Sequence, residues 1–132
     1  MKEKKRKSNR TLPLGEAMFN QLLLHYKWHA KRRKLDWFLE DKYFRELTKQ
    51  PCFYCGVLPN NVWGAAAVKR KVGRANGVYI YNGIDRINPK EGYTKDNCVS
   101  CCTKCNRSKW DLSQDEFLEH IKTLYNHLEL WK

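Results

Sequence analysis

The sequence predicts an α+β domain in which a two-stranded hairpin and a short helix are flanked by helices on the N- and C-terminal sides. Three observations predict it. β-Branched and aromatic residues cluster in Gly77-Val-Tyr-Ile-Tyr81, and a second short strand pattern runs from Cys98 to Cys101, with turn residues between the two. Apolar residues recur at helical spacing both before and after that region. Cysteines stand in Cys-x-x-Cys pairs, Cys52 with Cys55 and then Cys102 with Cys105 at the start of the helix after the hairpin. The 132 residues divide into a basic, disordered arm over 1–13 and one domain over 14–132, with the hairpin–helix core at about 77–112.

Charge narrows the partner. The 26 Lys and Arg residues outnumber the 14 Asp and Glu, for a net charge of +12. Such an excess favours a polyanion, because each neutralised phosphate releases counterions. No apolar run approaches the roughly 20 residues that span a bilayer, so no membrane partner is expected. The start, Met-Lys-Glu-Lys-Lys-Arg-Lys, has no apolar stretch behind it and does not read as a secretory signal. The cysteine spacing favours metal over disulfides, as in a reducing compartment. A soluble, intracellular protein is expected.

The elements follow in order. Residues 14–34 read as a helix, with Leu14, Met18, Leu22 and His25 near one stripe and Phe19, Leu23, Tyr26 and Ala30 beside it. Its end, Lys31-Arg-Arg-Lys34, carries more cations than a helix C-terminus needs, which points to phosphate contacts. Residues 36–40 read as extended. Asp41 to Lys49 reads as a short helix burying Phe44 and Leu47, stopped by Pro51. Cys52-Phe-Tyr-Cys-Gly56 is a tight knuckle in which Gly56 can take positive φ. Residues 59–77 read as a loop whose Lys69, Arg70, Lys71 and Arg74 either track phosphates or face solvent. Asn88-Pro-Lys-Glu-Gly92 is the hairpin turn. The helix after Cys102 carries Asn106 and Lys109 one turn apart, Lys109 being a further phosphate contact. Ser113-Gln-Asp-Glu116 is a capping box opening a last helix to about Leu130. Its stripe of Phe117, Ile121, Leu124, Tyr125 and Leu128 is expected to pack on the first helix.

Cys52, Cys55, Cys102 and Cys105 are the expected zinc ligands. Four thiolates close a tetrahedral site, so the ion is structural. Cys98 and Cys101 form a competing Cys-x-x-Cys; in the preferred register they are small buried residues.

Cys-Phe-Tyr-Cys-Gly, then Gly-Ile-Asp-Arg-Ile-Asn-x4-Gly-Tyr-Thr-x-Asp-Asn, then Cys-Cys-x-x-Cys-Asn-Arg-Ser-Lys together resemble the HNH nucleases. The match covers about residues 50–112. The resemblance implies a zinc-stapled ββα-metal core and an endonuclease acting on double-stranded DNA. It also implies a catalytic Mg²⁺ or Mn²⁺ held by Asp85 and Asn106, with Asn97 bracing the site. A phage or mobile-element gene, acting in the cytoplasm of an infected bacterial host, fits the same family. The family places a His base directly after the Asp, and here that position is Arg86, which does not readily accept a proton. One explanation is a module that binds DNA or RNA without cutting. The other is a variant, similar to a rare-cutting restriction enzyme of the family, in which a Tyr replaces the His and the Arg contacts phosphate. By spacing, Tyr43 and His29 are the matching residues. The sequence leaves the oligomeric state open, a homodimer included.

Overall fold

The computed structural model describes residues 12–64 and 77–132. The arm through residue 11 and the segment 65–76, with Lys69, Arg70, Lys71 and Arg74, lie outside the described residues. The elements run α1 (Glu16–Arg32), α2 (Asp41–Thr48), β1 (Asn61–Trp63), β2 (Tyr79–Tyr81), β3 (Gly83–Arg86), a 3₁₀ turn (Lys95–Asn97), β4 (Cys98–Cys101), α3 (Thr103–Lys109) and α4 (Gln114–His127).

Two antiparallel hairpin sheets result, β1 with β2 and β3 with β4. In the second, Gly83 pairs with Cys101 and Arg86 with Cys98, so Asp85 stands opposite Val99. Two expectations change here. The stretch read as a loop from residue 59 begins with a strand, β1, whose Trp63 pairs with Tyr79 and whose Asn61 pairs with Tyr81. A cross-strand aromatic pair is a strong reason for so short a ladder to form. The 77–81 strand is therefore committed to β1, and Asp85 rides on a separate strand four residues further on.

The core lies between α1, α2 and the strands. Met18, Phe19, Leu22 and Leu23 of α1 meet Phe44 and Leu47 of α2 together with Tyr79 and Ile84. Phe44 is fully buried and touches the rings of Phe19 and Tyr26, with centroids 5.8 and 5.3 Å away. Ion pairs Arg45–Glu16 (2.5 Å) and Lys27–Asp41 (3.0 Å) cross between the helices. They are partly exposed, so they orient the pair more than they stabilise it. Leu14 lies outside α1 and is exposed, because the helix starts only at Glu16.

The knuckle is fastened to this body through its backbone. The Gln50 carbonyl accepts from both Asn82 Nδ2 (2.9 Å) and Ser100 Oγ (2.9 Å), and Phe53 N–H donates to the Ser100 carbonyl (2.8 Å). Gly56 takes φ 77°, which closes the turn. The β3–β4 loop is fastened by Asn97. Its Nδ2 donates to the carbonyls of Gly92 (2.9 Å) and Asn88 (3.1 Å), and its Oδ1 accepts from Asn88 N–H (2.9 Å). Beyond the loop, Tyr93 N–H donates to the Asp36 carbonyl and Phe38 N–H to the Tyr93 carbonyl, both at 2.8 Å.

Helix α4 departs from expectation most. Ser113 caps it as the sequence indicates, its side chain accepting from Glu116 N–H at 3.2 Å. Yet only Phe117 of its apolar stripe is buried, and it packs on Tyr54 of the knuckle (centroids 5.2 Å) rather than on α1. Gln114 N–H is bonded to the Ile87 carbonyl (2.9 Å), which ties the helix start to the β3–β4 loop. Beyond Phe117 the residues of the helix are exposed. An amphipathic stripe reads the same whether its partner is the chain's own core or another surface.

Gly92 sits where no side chain fits: a Cβ there would stand 2.5 Å from the Asp36 carbonyl oxygen. Gly92→Ala is expected to destabilise by about 2 kcal/mol, and Phe44→Ala by about 4 kcal/mol, both read from denaturant midpoints of metal-loaded protein. Wild-type midpoints in either variant contradict this packing.

Candidate active site and metal cluster

Four thiols converge at the junction of knuckle, β4 and α3. The Sγ atoms of Cys52, Cys55, Cys102 and Cys105 all lie within 4.8 Å of one another, and the Cys55 and Cys102 sulfurs are 3.7 Å apart. Tetrahedral zinc with bonds of about 2.3 Å sets neighbouring sulfurs roughly 3.8 Å apart, so the cluster is sized for such an ion. Cys102 is also the N-cap of α3, accepting from Cys105 N–H at 3.4 Å. Burial works against ionisation of Cys52. Hydrogen bonds from the backbone at Cys102, Cys55 and Tyr54 outweigh it and bring that thiol down to about 6. Burial, then the neighbouring thiols, push Cys105 up. One thiolate crowding the others is the situation a bound cation relieves. Cys98 is buried in the main core and Cys101 directly against Cys52 and Cys102, outside the four-sulfur group, and burial pushes the Cys98 thiol up to about 12. The register that leaves them out of the cluster is the one observed.

A cleft of about 460 Å³ opens between α1, β1, β3 and α3. Asp85 and Asn106 both line it, from β3 and α3. Arg33, Arg86 and Arg107 bring positive charge, and His25 and His29 form the α1 wall. The two imidazoles are one helical turn apart, with centroids at 4.3 Å. Burial, and then the charge of His29, lower the pKa of His25 below its usual 6.5.

Asp85 is held from behind. Lys109 Nζ lies 3.2 Å from its Oδ1 and also donates to the Arg86 carbonyl at 2.9 Å. Tyr54 O–H donates to Oδ2 at 2.8 Å. Both members of the ion pair are buried, so the carboxylate retains a counter-charge where water is absent. Burial first, then the nearby carboxylate, push the Tyr54 hydroxyl up, and it stays a donor. Two oxygens carry about four acceptor sites, so the two bonds leave capacity towards the cleft. That capacity together with the Asn106 amide makes an oxygen donor set suited to a hard divalent cation. Arg86 spends Nη1 on the carbonyls of Pro89 and Glu91 (the latter at 3.1 Å) and lies 5.4 Å over the Tyr93 ring. It steadies the turn as well as lining the cleft.

The rare-cutting HNH restriction endonuclease PacI has a similar structure. It superposes with a TM-score of 0.52 at 21% identity, over 84% of this chain and 81% of that one. The fold is that of an HNH nuclease. In sequence, an uncharacterized protein of Acanthamoeba polyphaga mimivirus is 34% identical over 91 residues, 69% of this chain. The chain spans only 14% of that relative's length. No family model matches.

In this HNH fold the residues singled out from sequence fall into two groups. Asp85, Arg86, Asn106, His29 and Arg33 share the cleft. Asn97 fastens the β3–β4 loop and does not line the cleft, and Lys109, bonded to Asp85, is buried rather than free for phosphate. Tyr43 lines a different depression with Phe38, Lys42, Glu46 and Lys95, and the Lys95 ammonium stands 5.1 Å over its ring. Lys31, Arg32 and Lys34 are exposed near the end of α1 and do not line the cleft. His25 and Tyr54 are site residues that the sequence reading does not single out. The His25–His29 spacing of four is the available signal, and the helical stripe masks it. Nothing in the knuckle sequence marks Tyr54 as a partner of Asp85.

One zinc per chain is expected by metal analysis. Cys102→Ser should lower affinity at least tenfold in a competition titration, and affinity should fall as pH drops and the thiols take up protons. Stoichiometric zinc in a Cys52→Ser, Cys102→Ser double variant contradicts the ligand set. Replacing Lys109 by Met strands a buried carboxylate and should cost about 3 kcal/mol in denaturant unfolding.

Proposed function

We propose that the protein is a metal-dependent DNA endonuclease whose zinc is structural. The observation that carries this reading is that Asp85 and Asn106, from the hairpin and the helix, line one cationic cleft in an HNH fold. The net charge of +12 supports a nucleic-acid partner, and the similarity to an HNH restriction endonuclease supports double-stranded DNA. Asp85 and Asn106 would hold Mg²⁺ or Mn²⁺, which when bound neutralises charge on the scissile phosphate and assists the leaving oxygen.

The chain's own residues account for the remaining work. Tyr54 and Lys109 hold the Asp85 carboxylate in one orientation. Arg33, Arg86 and Arg107 orient the phosphodiester and balance the charge that grows on it. Water attacks phosphorus, the bond to the leaving sugar oxygen breaks, and the attacking water's proton passes to an imidazole of the His25–His29 pair. Burial and then the His29 charge lower the pKa of His25, which favours the neutral form that accepts a proton. This takes the place of Tyr43, whose ring lines another depression.

A second reading has its own observation. The Lys109 ammonium already neutralises Asp85, and Arg86 occupies the usual base position. A module that binds DNA or RNA without cutting would tolerate both.

Zinc-loaded protein incubated with supercoiled plasmid separates the two. Nicking or linearisation is expected only with added Mg²⁺ or Mn²⁺. Asp85→Asn and Asn106→Ala should lower the rate at least 100-fold, with zinc content and DNA affinity kept, and His25→Ala with His29→Ala should lower it while Tyr43→Phe does not. Tight binding with no cutting under any metal would sink the nuclease and leave the binding module.

A further inference from the structure

We infer that Trp110 is a base-stacking residue: its indole receives an unpaired nucleobase beside the phosphate held in the cleft, so the protein prefers nucleic acid with an unpaired nucleotide over perfect duplex. The inference rests on the cleft being a nucleic-acid site, which both readings above share. Trp110 directly follows α3 and lines the cleft with Asn106 and Arg107. It is 79% exposed. Its backbone stands at φ 52° and ψ −122°, and Leu112 N–H closes the turn onto the Lys109 carbonyl at 3.0 Å. Those dihedrals and that bond belong to the first central position of a type II′ turn, a place that favours glycine. A side chain there is strained. One exposed apolar residue is ordinary on a protein surface. A tryptophan that is exposed, strained and set at a cleft is not, because the fold gains little burial from it. The turn is also clamped on both sides. Lys109 before it is bonded to Asp85 and to the Arg86 carbonyl, and Gln114 N–H after it donates to the Ile87 carbonyl. A fixed backbone therefore presents the indole.

The surroundings select the occupant. Arg33, Arg86 and Arg107 line the same cleft, and the chain on either side of Trp110 carries exposed polar residues, Arg107, Ser108 and Asp111. A protein partner docks on a contiguous apolar patch, whereas here one indole stands among guanidinium and amide groups. A nucleotide matches both, with a phosphate for the guanidinium groups and a flat π-face for the indole. Trp63, also in the cleft, is half-buried with the His25 ring against it, centroids 4.9 Å apart, so it is Trp110 that offers an open face. Trp110 lies one helical turn, about 6 Å, beyond Asn106, and its N–H donates to the Asn106 carbonyl at 3.1 Å. A phosphate at Asp85 and Asn106 then brings the base of an adjoining nucleotide within reach. In a perfect duplex that base is stacked on both sides and shows only its edges in the grooves. The indole can stack only on a base that has left the stack, as at a bulge, a flap or a single-stranded stretch.

Fluorescence anisotropy with the full, zinc-loaded chain, in the absence of Mg²⁺ and Mn²⁺, tests this apart from cutting. Two labelled duplexes of one sequence are compared, one perfect and one carrying a central bulged 2-aminopurine. The wild type should bind the bulged duplex about 5- to 100-fold more tightly, the range of one base–aromatic stack. Trp110→Ala should lower that preference at least fivefold, and Trp110→Phe should keep most of it. The 2-aminopurine emission should be quenched on binding to the wild type and not on binding to Trp110→Ala. Trp110→Gly should lose the preference without lowering the denaturant midpoint, which a fold-supporting tryptophan would lower. Equal binding of the two duplexes by the wild type overturns the inference and leaves the nucleic-acid reading standing. So does a preference or a quench that survives in Trp110→Ala. Binding of neither duplex overturns both.

Discussion

Four thiols decide the shape of this molecule. Cys52 and Cys55 come from a knuckle after α2, Cys102 and Cys105 from the start of α3, and their sulfurs meet within 4.8 Å. Apart they would crowd one another with partial negative charge; around a dication they become its ligands. The ion's binding energy would then be folding energy. Two sides of the Asp85 environment are hung from this junction. The knuckle carries Tyr54 to Asp85, and α3 carries Asn106 to the cleft edge and Lys109 behind it. Loss of the cluster would free both at once.

Burying a carboxylate at the edge of a cationic cleft calls for a partner, because a buried charge is costly without one. Lys109 and Tyr54 meet this from the rear, one with charge and one with a hydrogen bond. The same arrangement would moderate the affinity of the proposed cation site, because the ammonium competes for one oxygen. On the opposite wall, α1 brings the imidazoles of His25 and His29 to the cleft. Arg86, anchored on the turn carbonyls and over Tyr93, stiffens the β3–β4 loop as it lines the cleft.

Much of this was legible in the chain. The α+β class, the cysteine register, the short second helix and the capped last helix each followed from local chemistry: paired thiols, turn residues and a capping box. The HNH pattern points to Asp85 and Asn106, and the structure brings both to one cleft. The misses share a cause. Strand β1 was hidden because three residues form a strand only when a distant partner, Tyr79–Tyr81, is there to pair. His25 has the same helical spacing whether it faces core or cleft, and sequence distance alone does not show that Tyr43 lines another depression. The α4 stripe announced a buried face without saying what would bury it.

The claim on which the account turns is that Asp85 and Asn106 form one divalent-cation site in the cleft. Mn²⁺ titrated into ¹⁵N-labelled, zinc-loaded protein addresses it without reference to cutting. Paramagnetic broadening should centre on Asp85, Asn106 and the His25–His29 turn, and Asp85→Asn should abolish it while zinc stays bound. Broadening centred elsewhere, or unchanged in Asp85→Asn, would contradict the account.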